Sequence, residues 1–242
     1  PINNYEKKIY SQNGEDGIIK YIFDNIGTTN KKSCEIGFHY NEANTLNLMK
    51  NDWKCLFIDS NNIQIKQFNK IYENVYTNSY AICNNITADN INKIITDNKY
   101  NDEIDFLSID IDSNDYYIVK KIINYNPRVI CVEYNSSFGP NIPCSIPYNA
   151  KRTDQTVDYW GASYLAFVNL LSHKYNLVAV VDGLNLFFIR NDIKHNIEKI
   201  SDAWQPPYQS TYKSNNMPKH KDRLKEQYEK IIKLPLYYTN DL

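Results

Sequence analysis

Two aspartates one residue apart, Asp110 and Asp112, close the apolar run Phe106-Leu107-Ser108-Ile109. A β-branched, apolar run that ends in carboxylates reads as a buried strand, and open α/β sheets bind ligands at the edge where such strands end. Residues two apart on a strand project to the same side, so the two charges lie close together with no cation beside them in the sequence. Such a pair invites a divalent cation or a shared proton; a solvated loop is the plainer alternative. The next strand candidate, Arg128 to Asn135, also ends in polar groups, Glu133 and Asn135. If the two strands are parallel neighbours, Asp110, Asp112, Glu133 and Asn135 converge into an oxygen-rich set suited to Mg²⁺ or Mn²⁺. The same four residues could instead tie loops together through hydrogen bonds without a metal.

Two earlier runs have the same form. Ser33-Cys34-Glu35-Ile36-Gly37 passes through one glycine into a helix with Leu46, Leu48 and Met49, the start of a βαβ unit. Glycine lets a ligand approach the backbone, and the carboxylate two residues earlier can pair with a cationic or hydroxyl-bearing group. Trp53 to Ile58 ends in Asp59-Ser60, about 20 residues beyond the glycine, where nucleotide-binding α/β folds place an acid on the ribose hydroxyls. His39, just after the Glu-x-Gly turn, is a candidate for proton transfer; the histidines at 173, 195 and 220 form no local ligand pair.

Alternating strands and helices must position these groups. Ile18, Ile19, Ile22 and Ile26 recur at helical spacing after Ser11-Gln12-Asn13-Gly14-Glu15-Asp16, whose local reading is a helix cap with acids at the positive end of the dipole. The pattern predicts a third strand near Val75 to Ala81 and a helix from Ile86 to Ile95 capped by Thr87 or Asp89. A further helix is expected from Tyr116 to Tyr125, stopped by Pro127. Ser136 to Tyr159 reads as a long loop in which Arg152, Asp154, Asp158 and Tyr159 could meet a polar substrate. A helix from Gly161 to His173 precedes two apolar stretches, Leu177 to Asp182 and Leu186 to Arg190, that read as an antiparallel pair closing the sheet. Residues 204–220 lack periodicity, and Asp222 to Ile232 reads as a charged amphipathic helix.

The 242 residues suit one main domain over 1–192 with a 193–242 extension packed on it or on a partner subunit of a homo-oligomer. With 27 basic and 28 acidic residues well mixed, nothing favours nucleic acid or a charged membrane surface, which leaves a small molecule as the expected partner. The cysteines at 34, 55, 83, 131 and 144 lack CxxC spacing and read as reduced thiols rather than disulfides or a zinc site. The sequence has no signal-peptide pattern and no apolar run approaching the ~18–20 residues of a membrane helix, so a soluble, cytoplasmic protein is expected.

Together, Tyr10 to Asp16, Glu35-Ile36-Gly37 with Asn44-Thr45-Leu46, Trp53 to Asp59, Leu107 to Tyr116 and Val132 to Gly139 resemble the FkbM-like S-adenosylmethionine-dependent methyltransferases. The resemblance covers roughly residues 9 to 192 and implies the class I methyltransferase fold. That is an α/β, Rossmann-like, seven-stranded and mostly parallel sheet with helices on both faces and a terminal antiparallel hairpin. It also implies that Glu35 and Gly37 line the methionine end of the cofactor and that Asp59, with Ser60 beside it, binds the ribose. Ser11, Gln12 and Glu15 would close over the pocket, and Asp110 would border it. Where such folds carry a second glycine after the first strand, this chain has Phe38-His39-Tyr40-Asn41.

The acids of the fourth and fifth strands are similar to those of metal-dependent O-methyltransferases. By that likeness Asp110, Glu133 and Asn135 hold a divalent cation under the acceptor hydroxyl, and Asp112 takes its proton. Sugars or sugar nucleotides are the implied acceptors, with Lys151 and Arg152 as available cations for phosphate. Two other readings stand beside this one. One is a metal-dependent glycosyltransferase with Asp110-Ile111-Asp112 as its Asp-x-Asp; the other is an inactive cofactor-binding scaffold.

Overall fold

The computed structural model describes residues 1–151, 159–200, 205 and 225–239. Five strands run parallel: β1 (Lys32–Ile36), β2 (Lys54–Asp59), β3 (Tyr80–Cys83), β4 (Phe106–Ile109) and β5 (Val129–Glu133). A minor strand, β6 (Cys144–Ser145), precedes the hairpin of β7 (Tyr175–Val181) and β8 (Asn185–Arg190). The seven-stranded sheet has the order β3-β2-β1-β4-β5-β8-β7, with β8 antiparallel to both of its neighbours. β4 and β5 are buried throughout because they lie between two helical layers, which is why they read as unbroken apolar runs.

Helices α1 (Glu15–Ile26), α2 (Leu46–Met49) and α3 (Asn62–Tyr72) cover one face. The other face carries α4 (Ile91–Asp97), α5 (Asp115–Ile122) and α6 (Tyr164–Leu171). After α6 come the hairpin, a helical turn at 225–231 (α7) and β9 (Tyr237–Tyr238), which pairs with β6. Ile231 of α7 packs with Phe138, Cys144 and Ile146 in a small third cluster, so this part of the extension rests on the segment that follows β5. Among the described residues no helix is long and apolar enough to cross a membrane.

Local patterns misplaced two elements. β3 starts at Tyr80 rather than near Val75, because Val75 and Tyr76 form the turn that leaves α3 and Val75 is 66% exposed. α4 starts at Ile91 rather than Ile86, because Thr87 and Asn90 exchange side-chain to backbone hydrogen bonds in a turn of their own. Asp89 caps nothing there and accepts from the Tyr148 hydroxyl at 3.2 Å. Arg152, Asp154, Asp158, His220 and the segment 206–224 lie outside the described residues.

The strand order sets the site. The chain leaves β1 toward β2 and β3 on one side and returns to β4 on the other, so the carboxyl ends of β1 and β4 flank a topological switch point. At the opposite end of β4, Asp105 accepts from the backbone N–H groups of Thr29, Asn30 and Lys31 and from Arg128 Nη1 at 2.7 Å.

Candidate active site

A cavity of about 610 Å³ opens over the carboxyl ends of β1, β2, β3 and β4. Its floor is backbone. Gly37 has φ 79°, and a Cβ there would stand 1.6 Å from the Asp110 carbonyl oxygen. The glycine is therefore demanded by the close passage of the β4 exit as well as by its positive φ. Glu35, one turn of the pleat earlier, accepts from the N–H groups of Asn44 and Thr45, both at 2.8 Å, and from the Thr45 hydroxyl. Burial pushes its carboxyl up to about 7 despite these donors, and nearby Asp16 adds to the rise.

Asp59 and Ser60 line the neighbouring wall. The Asp59 carboxylate accepts from Asn61 N–H at 2.6 Å and Phe38 N–H at 3.3 Å, while Asn61 in turn caps α3. Phe38, where a glycine would be expected, packs its ring on Phe57 and Phe68 with centroids 5.1 and 5.5 Å away. His39 and Glu42 then bond through both backbone pairs, a tight turn in place of a glycine loop. His39 is exposed at the cavity rim, its Nδ1 against Asn41 Oδ1 and its ring 4.5 Å from that of Tyr40.

The leading loop behaves differently from its local reading. Gly14 precedes α1 without a side-chain cap, and the two acids turn inward. Asp16 Oδ2 accepts from the N–H groups of Ile9, Tyr10 and Ser11 and from the Ser11 hydroxyl, all within 2.8 Å. Glu15 accepts from Asn13 N–H and from Asn185 Nδ2. Of the three residues expected to close the pocket, Gln12 lines the cavity, whereas Ser11 and Glu15 are buried behind it and hold the loop that presents Gln12.

At the β4 and β5 exits, carboxylate oxygens of Asp110, Asp112 and Glu133 all lie within 4.8 Å of one another. Burial raises the pKa of both Asp110 and Glu133; repulsion from Asp112 raises both further, and the hydrogen bond between the two carboxyls lowers Asp110 while raising Glu133. Glu133 Oε2 is buried without a hydrogen-bond partner. An orphaned buried oxygen beside two further carboxylates fits a hard cation or a shared proton. Asn135 stands just past the end of the strand that carries Glu133 and has hydrogen bonds of its own. Its side chain accepts from Ser137 N–H and donates to the Trp160 carbonyl, so it fastens the following turn. Asp112 is held beside Asp110 and Glu133 by a left-handed backbone, φ 57°, stabilised by Asp115, whose carboxylate accepts from Ile111 and Ser113.

No family profile matches the sequence, and no curated protein does either. Among solved structures, the N-terminal domain of EvdMO1 with SAH (S-adenosylhomocysteine) bound is 12% identical, with TM-score 0.51, over 75% of this chain and 83% of that one. The chain has the class I methyltransferase fold. A TehB-like SAM-dependent methyltransferase from Corynebacterium glutamicum is also similar, at 12% identity and TM-score 0.47, over 78% of this chain and 92% of that one. An O-methyltransferase from Bacillus cereus in complex with SAH shares 16% identity at TM-score 0.45, over 66% of this chain and 74% of that one.

Seen as a class I fold, the cavity includes residues that sequence reasoning missed. Asn84, Asn85 and Ile86 line it directly after β3, and displacing that strand toward Val75 hid them. Gln64 lines it from α3 and accepts from Tyr40 N–H. Asn185 reaches it from β8 because β8 pairs with β5 in the register Glu133 to Asn185, a long-range contact with no local signal.

Proposed function

We propose that the protein is an S-adenosylmethionine-dependent O-methyltransferase of the FkbM-like kind, assisted by a divalent cation, that methylates a hydroxyl of a sugar or sugar nucleotide. One observation carries this reading. Acids ending β1, β2, β4 and β5 converge at the switch-point cavity of a class I methyltransferase fold. In this reading Glu35 and Gly37 border the methionine moiety, Asp59 accepts from the ribose hydroxyls with Ser60 beside it, and Gln12 closes the cavity from above. Ser11 and Glu15 act through Gln12. The sugar class comes from the motif resemblance, and a wall containing Asn44, Asn61, Gln64, Asn84 and Asn185 suits a hydroxyl-rich ligand.

Asp110, Asp112 and Glu133 would hold the cation. When bound, the cofactor supplies a methyl on a positively charged sulfur, and the cation lowers the pKa of an acceptor hydroxyl. Asp112, which is less buried than Glu133, offers one carboxylate oxygen to the shared site and the other to the hydroxyl proton. Asp112 would hold the acceptor hydroxyl and take its proton as the methyl group is transferred to the oxygen. His39 at the rim is the second candidate for receiving that proton. Orientation and deprotonation are what the chain must supply, since a sulfonium methyl is already electrophilic.

Calorimetric titration with S-adenosylhomocysteine tests the reading. Wild type binds, and Asp59→Ala loses about 1 to 3 kcal/mol, the scale of charged hydrogen bonds. If the thioether does not bind while a uridine diphosphate sugar binds with Mn²⁺, the glycosyltransferase reading replaces this one.

A further inference from the structure

Lys50, which follows α2 as its C-cap, has its ammonium over three tyrosine rings at once. Nζ lies 4.9 Å from the Tyr10 centroid, 5.0 Å from that of Tyr72 and 5.2 Å from that of Tyr76. Among the described residues no carboxylate forms an ion pair with it. A ring face attracts a cation through its quadrupole, so three faces around one ammonium hold it as a counter-ion would. Tyr72 belongs to the core under α1, α2 and α3, and Tyr10 and Tyr76 pack against that core, so the charge is gripped by side chains that are themselves anchored.

The cage joins three segments that each deliver a residue to the cavity. Tyr10 lies in the leading loop, which presents Gln12; Tyr72 ends α3, which carries Gln64; and Lys50 follows the segment in which Asn44 lines the cavity and donates to Glu35. Lys50 itself does not line it. The leading loop has one other ionic tie, Lys8 to Glu42 at 3.0 Å, but both side chains there are well exposed, and an exposed pair contributes little. Taking the cavity as the cofactor site, and so resting on the function proposed above, we propose that Lys50 is a positioning residue. Its charge, held by the three tyrosines, fixes the leading loop, the start of α2 and α3 together as one wall of the cavity, and cofactor affinity depends on that charge through Gln12, Asn44 and Gln64.

Two substitutions separate charge from packing. Lys50→Met keeps an apolar stem among the rings and removes the charge, whereas Lys50→Arg keeps the charge, and a guanidinium also lies well over aromatic faces. Calorimetric titration with S-adenosylhomocysteine is paired with hydrogen exchange of the ligand-free proteins. Lys50→Met should weaken binding about tenfold and speed exchange of the amides of residues 9–11, which Asp16 holds, while β5 exchanges as in wild type. Lys50→Arg should stay within about threefold of wild type in both readouts. Wild-type affinity in Lys50→Met overturns the inference even where its melting temperature falls, since a purely structural lysine would give that result. Equal loss of affinity in both variants overturns it as well, because charge would then not be what the cage holds. If wild type does not bind S-adenosylhomocysteine, the cofactor reading fails, and exchange alone decides on Lys50: faster exchange at 9–11 in Lys50→Met but not Lys50→Arg supports its hold on the loop, and equal rates remove it.

Discussion

The two ends of β4 carry aspartates in opposite circumstances. At its start Asp105 is fully buried, accepts from three consecutive backbone N–H groups and is paired with Arg128, whose guanidinium also donates to the carbonyls of Ile26 and Gly27. At its exit Asp110 meets Asp112 and Glu133, and the set includes a buried oxygen with no partner. Four residues of strand separate an acid paired with a cation from one that faces other acids. A buried charge that serves the fold is neutralised and fully hydrogen-bonded; like charges left facing one another cost stability and persist where a ligand completes them.

The comparison breaks most sharply at Asp105. Asp105→Asn leaves Arg128 buried without its counter-charge and should cost about 3 to 5 kcal/mol of unfolding free energy in denaturant titration, while Asp105→Asn combined with Arg128→Met should recover part of that loss. The exit cluster should respond in activity instead. Asp112→Asn is expected to lower turnover about 10²- to 10⁴-fold with S-adenosylhomocysteine still bound, and His39→Ala to cost much less; full turnover by Asp112→Asn would move the proton to another acceptor.

Acidity also marks the cavity end. The cavity carboxyls of Glu35 and Asp110, and Asp115 beneath them, are all raised by burial, Glu35 to about 7 and Asp115 to about 6. A carboxyl raised in the folded state binds its proton more tightly there, so its stabilisation is complete below the unfolded value and is lost as pH rises through the folded one. For Glu35 that window runs from 4.5 to about 7. The ligand-free protein should therefore lose up to about 3 kcal/mol from this group between pH 5 and 8, and Glu35→Gln should flatten the profile measured by thermal melting.

The smallest effect concerns the exit cluster's own stability. Glu133→Gln removes repulsion, so it should leave unfolding free energy unchanged or raise it by on the order of 1 kcal/mol. If the cluster holds a cation as proposed, Mn²⁺ should raise the melting temperature of the wild type, and Glu133→Gln should abolish that increase. A loss of several kcal/mol on this change would place Glu133 with Asp105 as a structural acid.

Much of this was legible from the chain. The unbroken apolar runs of β1, β2, β4 and β5 and the acids that end them declared the parallel sheet and its carboxyl edge, because strands buried on both faces admit no polar alternation. Less was legible where a polar residue had two uses open to it. Asn135 ends a strand like a ligand, yet it closes the next turn. Glu15 and Asp16 follow a turn like first-turn acids, yet they clasp the loop before α1. Asn84, Asn85 and Asn185 give no sign of a site until β3 and β8 are placed.

By itself, then, the sequence determined which segments are buried, what fold class they build and which carboxylates stand at strand ends, because burial and side-chain alternation are local properties of a chain. Tertiary structure alone decided which of those carboxylates face one another. That depends on strand order and register, on the left-handed turn that swings Asp112 back toward Asp110, and on Arg128 reaching Asp105 but not the far end of the same strand. An aspartate's charge is written in its side chain; whether that charge is cancelled depends on neighbours that the fold brings from distant positions.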